Sequence, residues 1–160
     1  MIRPRRVVLD ANILLRAVFG VRTRALIERY VETIELYTPD NCLSEASRHI
    51  LRIATTKGLD STVLELKLEQ LVEANLLPVE ASFYGHYEQD ALARIGRRDP
   101  ADWPVVATAL LLHAPIWTED RDFFGIGIPT WSTDNIEIFL RSCRERSGES
   151  AYPAFGATTL

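Results

Sequence analysis

The chain has 160 residues, 47% hydrophobic and 25% charged, a balance that excludes a disordered polymer and favours one packed domain. Two cysteines, Cys42 and Cys143, are too few for a disulfide framework and match no metal-binding spacing, so a cytoplasmic protein is expected. The net charge of −4 argues against a broadly basic nucleic-acid-binding surface.

Arg3, Arg5 and Arg6 precede an apolar stretch that ends at Leu9, too short for a signal peptide. The opening run Val7-Val8-Leu9 has no polar alternation and reads as a strand buried on both faces, as in a parallel sheet. It leads straight into Asp10. A helix is expected from beyond Asn12 to Phe19, broken by Gly20, and a second from a Thr23 cap to Val31, burying Ala25, Leu26, Tyr30 and Val31. Ile34 to Tyr37 reads as a strand. Asp40 reads as the N-cap of a longer helix towards Thr56, with Leu43, Ala46, Ile50 and Ile53 on one stripe and Gly58 as its stop.

Asp60-Ser61 opens another helix with the apolar stripe Leu64, Leu68, Leu71 and Val72, and Leu76 to Val79 is a connection or edge strand. A helix is expected around Tyr84 to Ile95, then a loop at Arg97-Arg98-Asp99-Pro100. Asp102 is the expected cap of an Ala-, Val- and Leu-rich helix running to about His113, with Pro104 in its first turn. The apolar Val105–Trp117 stretch is too short to span a bilayer, so no membrane partner is expected. Pro115 to Thr118 reads as a second core strand and Ile128 to Trp131 as the last. Ile136 to about Arg144 closes the domain with Ile136, Phe139 and Leu140 inward.

Strands alternating with helices imply a three-layer α/β/α sandwich around a parallel sheet, an α/β fold. The expected domain spans residues 1–146. Residues 147–160 show no periodicity and read as a flexible or docking tail.

Four acids occupy places where such a sheet gathers function. Asp10 ends the first strand, Glu45 is early in the third helix, Asp102 starts a helix, and Asp120 follows the second core strand. Strand ends and the starts of the following helices share one edge, where open α/β sheets hold ligands. Carboxylates crowded there repel each other, and a hard divalent cation with oxygen ligands is the usual remedy. Mg²⁺ or Mn²⁺ suits few protein ligands and several waters, and can assist attack on a phosphoryl group. Three of the four also have a plainer role open to them: helix capping for Asp10 and Asp102, solvation for Glu45.

Val-Val-Leu-Asp10-Ala-Asn12, then Glu45, then Asp99-Pro-Ala-Asp102-Trp-Pro-Val-Val-Ala-Thr-Ala109, then Trp-Thr118-Glu-Asp120-Arg-Asp122-Phe123 resembles the PIN domain in order and spacing, over roughly Val7 to Leu140. PIN domains are metal-dependent ribonucleases, many of them the VapC-type toxins of bacterial toxin–antitoxin pairs. The resemblance implies a Mg²⁺- or Mn²⁺-dependent endoribonuclease in which Asp10, Glu45, Asp102 and Asp120 hold the ion, directly or through water. Asn12 matches the small polar position that steadies the first acid, with Thr118 in the same supporting set. Asp122 matches a second acid of the last motif and joins the implied metal ligands, and Asp99 matches an acid found in a subset of the family, in the supporting set.

Arginine supplies every basic residue except Lys57 and Lys67, and it suits bidentate phosphate contacts. Arg48, His49 and Arg52 share Glu45's side of its helix. With Arg97, Arg98 and Arg121, the arginines Arg48 and Arg52 are the candidates for contacting RNA, although solvation or ion pairing accounts for any single one. A toxin needs a silencing partner. The helices over Thr23–Val31 and Asp60–Glu73 offer an antitoxin groove or a homodimer surface, the same residues also serving to pack on the sheet. The alternatives are a solitary PIN nuclease acting on structured RNA or DNA, and a PIN-like binding module without turnover.

Overall fold

The computed structural model describes residues 5–148. Five parallel strands form one sheet in the order β3-β2-β1-β4-β5. They are β1 (Arg5–Leu9), β2 (Ile34–Pro39), β3 (Leu76–Val79), β4 (Ile116–Trp117) and β5 (Thr130–Trp131). Consecutive strand residues point to opposite faces, so full burial of Val7, Val8 and Leu9 means that both faces of β1 are covered. Each such side chain contributes about 1.5–3 kcal/mol relative to its exposed state. β3 lies at the edge, where Pro78 removes no ladder hydrogen bond that the fold needs.

The chain winds outward from β1 twice. The helices α1 (Ala11–Phe19), α2 (Arg22–Tyr30), α3 (Asp40–Lys57) and α4 (Ser61–Asn75) accompany the passage through β2 to β3. Of these, α1, α3 and α4 pack against one another. The chain then crosses back through α5 (Ala81–Tyr84), α6 (Glu88–Ile95) and α7 (Trp103–Leu112) to β4 on the other side of β1. Helix α7 lies against β1, β2 and β4 and carries α5 and α6 on its outer side. The last helix, α8 (Ile136–Gly148), packs against α2. The α/β/α architecture therefore stands, with a topological switch between β1 and β4. No helix among the described residues is long and apolar enough to cross a membrane.

Helix starts and caps differ from expectation at several places. Helix α1 starts at Ala11, because the Asp10 carboxylate accepts from the Ala11 N–H at 2.6 Å and begins the helix earlier. Helix α2 starts at Arg22 with Val21 as cap. Thr23 is buried inside it instead, Ala25 is exposed, and Ile27 takes the core position. Asp40 is the first residue of α3, following Pro39. Its carboxylate turns away to accept from the Ala81 N–H at 3.1 Å and the Tyr84 hydroxyl at 2.6 Å.

The helix expected over Tyr84–Ile95 is split, with a 3-10 turn at Gly85–Tyr87 between α5 and α6. Asp102 makes no capping hydrogen bond. It ends a 3-10 turn (Pro100–Asp102) that Asp99 caps by accepting from the Ala101 N–H at 2.9 Å. Gly58 does close α3, in the left-handed region at φ 64°. Helix α8 runs to Gly148, past the expected end, and the part of the expected tail from 149 to 160 lies outside the described residues.

Candidate active site

Register brings the first two functional side chains together. Leu9 of β1 pairs with Trp117 of β4, so the next residues, Asp10 and Thr118, leave the sheet side by side. Asp10 is only 6% exposed. Its Oδ2 accepts from Thr118 Oγ1 at 2.8 Å and from Asn12 Nδ2 at 2.7 Å. Asn12 Oδ1 accepts in turn from the Glu119 N–H at 3.1 Å, and Thr118 Oγ1 from the Asp120 N–H at 2.9 Å. Asn12 and Thr118 thus brace Asp10 while fixing the loop that carries Asp120.

Of the three acids after β4, the backbone selects one. Glu119 turns away: its Oε1 accepts from the Thr133 N–H at 2.7 Å and its Oε2 lies 3.8 Å from Arg16. Asp120 Oδ1 accepts from the Asp122 N–H at 2.9 Å, which folds the loop into a 3-10 turn (Arg121–Phe123). Asp122 contributes that backbone group, and its carbonyl oxygen accepts from Arg98 at 2.7 Å.

Asp102 reaches the same edge because α7 must start there to run back to β4. Burial pushes its carboxyl up to about 8, with repulsion from Asp10, Asp99, Asp120 and Glu45 adding to it. Its Oδ2 is buried without a hydrogen-bond partner. Asp10 is raised to about 6, chiefly by burial; the bonds from Thr118 and Ala11 oppose this, and Glu45 and Asp120 reinforce it. The two carboxyls therefore sense the same neighbours, Glu45 and Asp120, and Asp102 also senses Asp10. Glu45, on the exposed side of the group, lies 3.6 Å from His49 Nε2. Arg52 donates to His49 Nδ1 at 2.7 Å, which leaves the Nε2 proton of the neutral ring facing Glu45.

A hollow of about 490 Å³ opens between α3 and the Asp99–Asp102 turn, lined by Glu45, Arg48, His49, Arg52 and Asp102 among others. Arg48 and Arg52 are exposed there, whereas Arg98 is spent on the carbonyls of Asp122 and Phe124. Arg97 and Arg121 are exposed at the surface. One lining residue, Asn41, has no place in the sequence reading; its position one turn before Glu45 on the same helix face was the available signal.

These donors suit a hard divalent cation. All are oxygens, one is an orphaned buried carboxylate oxygen, and the raised carboxyls show negative charge in want of neutralisation. Among the described residues no three His, Cys, Asp or Glu side chains meet in a geometry ready to hold an ion. An ion held here would take one or two carboxylates directly and keep several waters.

Solved structures share the architecture. The chain is similar to PAE2754 from Pyrobaculum aerophilum at 13% identity and a TM-score of 0.67, covering 87% of this chain and 97% of that one. It is similar to VapBC2 from Rickettsia felis, bound to a DNA fragment from its promoter, at 13% identity and a TM-score of 0.63, covering 79% and 98%. It is similar to FitAcB from Neisseria gonorrhoeae at 17% identity and a TM-score of 0.53, covering 81% and 99%. At such identities the likeness is one of fold. No match is found among curated proteins. The family model of the PIN domain, a family generally of nucleases, matches residues 8–141, from inside β1 to inside α8. The chain belongs to the PIN-domain family.

Proposed function

We propose that this PIN domain is a Mg²⁺- or Mn²⁺-dependent endoribonuclease, acting in the cytoplasm as the toxin of a type II toxin–antitoxin pair. The observation that carries the nuclease reading is the convergence of Asp10 and Asp102 at the switch between β1 and β4, both raised by burial and by mutual repulsion with Glu45 and Asp120. Asp10, Glu45, Asp102 and Asp120 would hold the ion, directly or through water. When bound, such an ion supplies polarisation of a phosphoryl oxygen and a more acidic water.

The chain's own residues do the rest. Asn12 and Thr118 keep Asp10 and the Asp120 loop in fixed relation, so the acids need no reorganisation when substrate arrives. Arg48 and Arg52 stand on the rim of the hollow and would take phosphates of the strand, setting its position without reading its sequence. In the hydrolysis, the water oxygen bonds to phosphorus and gives up a proton, the bond to the leaving oxygen breaks, and the leaving oxygen takes up a proton.

Support for a silencing partner comes from the surface. Val63 and Leu66 of α4 and Leu59 just before it are 51%, 51% and 47% exposed, although Leu64, Leu68 and Leu71 of the same helix are buried. Such a helix, apolar on two sides, has a second face to cover, by an antitoxin segment or a homodimer. The structures VapBC2 and FitAcB carry names of paired proteins, in keeping with this reading.

The test is incubation with single-stranded RNA and with single-stranded DNA in Mg²⁺, Mn²⁺ or EDTA, for the wild type and Asp102→Asn. RNA loss that needs the metal and vanishes in the variant is expected. Preferential loss of DNA would make it a DNA nuclease, and no cleavage in any metal with RNA binding retained would make it a binding module.

A further inference from the structure

Three buried side-chain polar atoms among the described residues have no hydrogen-bond partner: Asn41 Oδ1, Asp102 Oδ2 and Trp131 Nε1. Native folds leave few such atoms, and each asks for a reason. Asn41 and Asp102 line the same hollow, together with Glu45. The two residues that line one space each hold an oxygen buried beside it with no donor, and such lone pairs call for something that accepts them.

Asn41 lies in the first turn of α3, and Glu45 follows four residues later on the same face. Helix α3 begins at the end of β2, beside β1, so Asn41 occupies the step between Glu45 and the strand ends that carry Asp10. A further acid at this step would deepen the repulsion among the carboxylates already there. An amide oxygen is a hard donor that adds no charge, and carbonyl oxygens suit Mg²⁺ and Mn²⁺ alongside carboxylates and water. Among the described residues no three His, Cys, Asp or Glu side chains form a metal-holding group by themselves.

We infer that Asn41 Oδ1 is an additional ligand for the divalent cation, direct or through one ordered water, on the Asp102 side of the site. The inference rests on the metal-dependent reading above, and is tested without substrate or activity. Mn²⁺ is titrated into the full chain by calorimetry, and the rise in thermal midpoint with Mn²⁺ is followed in parallel, for the wild type, Asn41→Ala and Asn41→Asp. Asn41→Ala is expected to bind Mn²⁺ roughly tenfold more weakly, the scale on which supporting groups tune metal sites. Asn41→Asp keeps the oxygen and adds charge, so it is expected to bind at least as tightly as the wild type.

Unchanged Mn²⁺ affinity in Asn41→Ala overturns this inference alone. Weaker binding by Asn41→Asp than by Asn41→Ala also overturns it, because the amide nitrogen would then be donating to Asp102. RNA binding in EDTA that falls in Asn41→Ala while Mn²⁺ affinity holds overturns it in favour of a substrate contact. A wild type that binds no Mn²⁺ sinks the metal-dependent reading and this inference together. Should Asn41→Ala fail to fold, as judged by circular dichroism in EDTA, Asn41→Asp is compared with the wild type, and weaker Mn²⁺ binding than the wild type overturns the inference.

Discussion

Thr118 donates a 2.8 Å hydrogen bond to Asp10 from a position 108 residues further along the chain. It joins the ends of the two strands between which the sheet changes direction. The same hydroxyl oxygen accepts from the Asp120 N–H, so one side chain sets the spacing of two acids. Thr118→Val should therefore push the Asp10 carboxyl further up, since the Thr118 bond now lowers it, and should cost about 1–3 kcal/mol through the buried groups left unpaired. Thr118→Ser should restore both. Carbon NMR titration of Asp10 and urea midpoints read the two effects; an Asp10 titration identical in Thr118→Val would show that the hydroxyl does not govern it.

The crowded acids fix the direction of the pH dependence. Asp10 and Asp102, ordinarily at 3.8, are raised to about 6 and about 8 in the fold. Between the ordinary and the raised value the folded chain holds more protons than the unfolded chain. Stability without metal therefore falls as pH rises from about 4 to about 8, with the Asp10 share lost by about 6 and the Asp102 share by about 8. Urea unfolding in EDTA across this range should show the decline, and saturating Mn²⁺ should flatten it. A wild type whose metal-free stability rises over the upper half of the range would contradict the repulsion.

How much of this was readable beforehand depended on whether a residue's partner was local. Val7-Val8-Leu9 announces a doubly covered strand by itself, because no half-exposed strand tolerates three successive apolar residues so well. The acids were legible as a set because strand ends and helix starts fall on one edge. Asp40 was misread as a cap because its partners, Ala81 and Tyr84, lie on the far side of α4 and β3 in sequence. Asp102 does hold the N-cap position of α7, but its side chain makes no capping bond, because Asp99, three residues earlier, already caps the preceding turn. Asn41 belongs to no motif, and beyond its place one turn before Glu45 it is marked by the burial of its oxygen.

The cleanest single test of the shared charge is Asp102→Asn rather than Asp10→Asn. Asp10 accepts from Ala11, Asn12 and Thr118, so an amide there would set an N–H against donors already in place. Asp102 Oδ2 accepts nothing, so its replacement costs that oxygen no bond and removes the charge that the carboxyl takes on above about pH 8 or on binding a cation. Asp102→Asn should hold or raise the thermal midpoint in EDTA, lose most of the rise that Mn²⁺ gives the wild type, and abolish cleavage. A fall of the midpoint in EDTA comparable to that of a core substitution would mean that Asp102 is structural.

Two arginines that look alike in sequence should behave differently. Arg98 donates to the carbonyl oxygens of Asp122 and Phe124, clamping the loop beyond Asp120, while Arg48 stands free of such bonds on the rim of the hollow. Charge-assisted bonds to two carbonyls are lost in Arg98→Ala, which should cost about 1–3 kcal/mol in urea unfolding. Arg48→Ala should leave stability nearly unchanged and instead weaken single-stranded RNA binding, lowering the dependence of log affinity on log salt by about 1. Binding is best measured on an Asp102→Asn background, so that the strand survives the titration. If Arg48→Ala leaves the salt slope where it was and Arg98→Ala lowers it, the phosphate-contacting face is the loop beyond β4 rather than α3, and the strand would approach the acids from the opposite side.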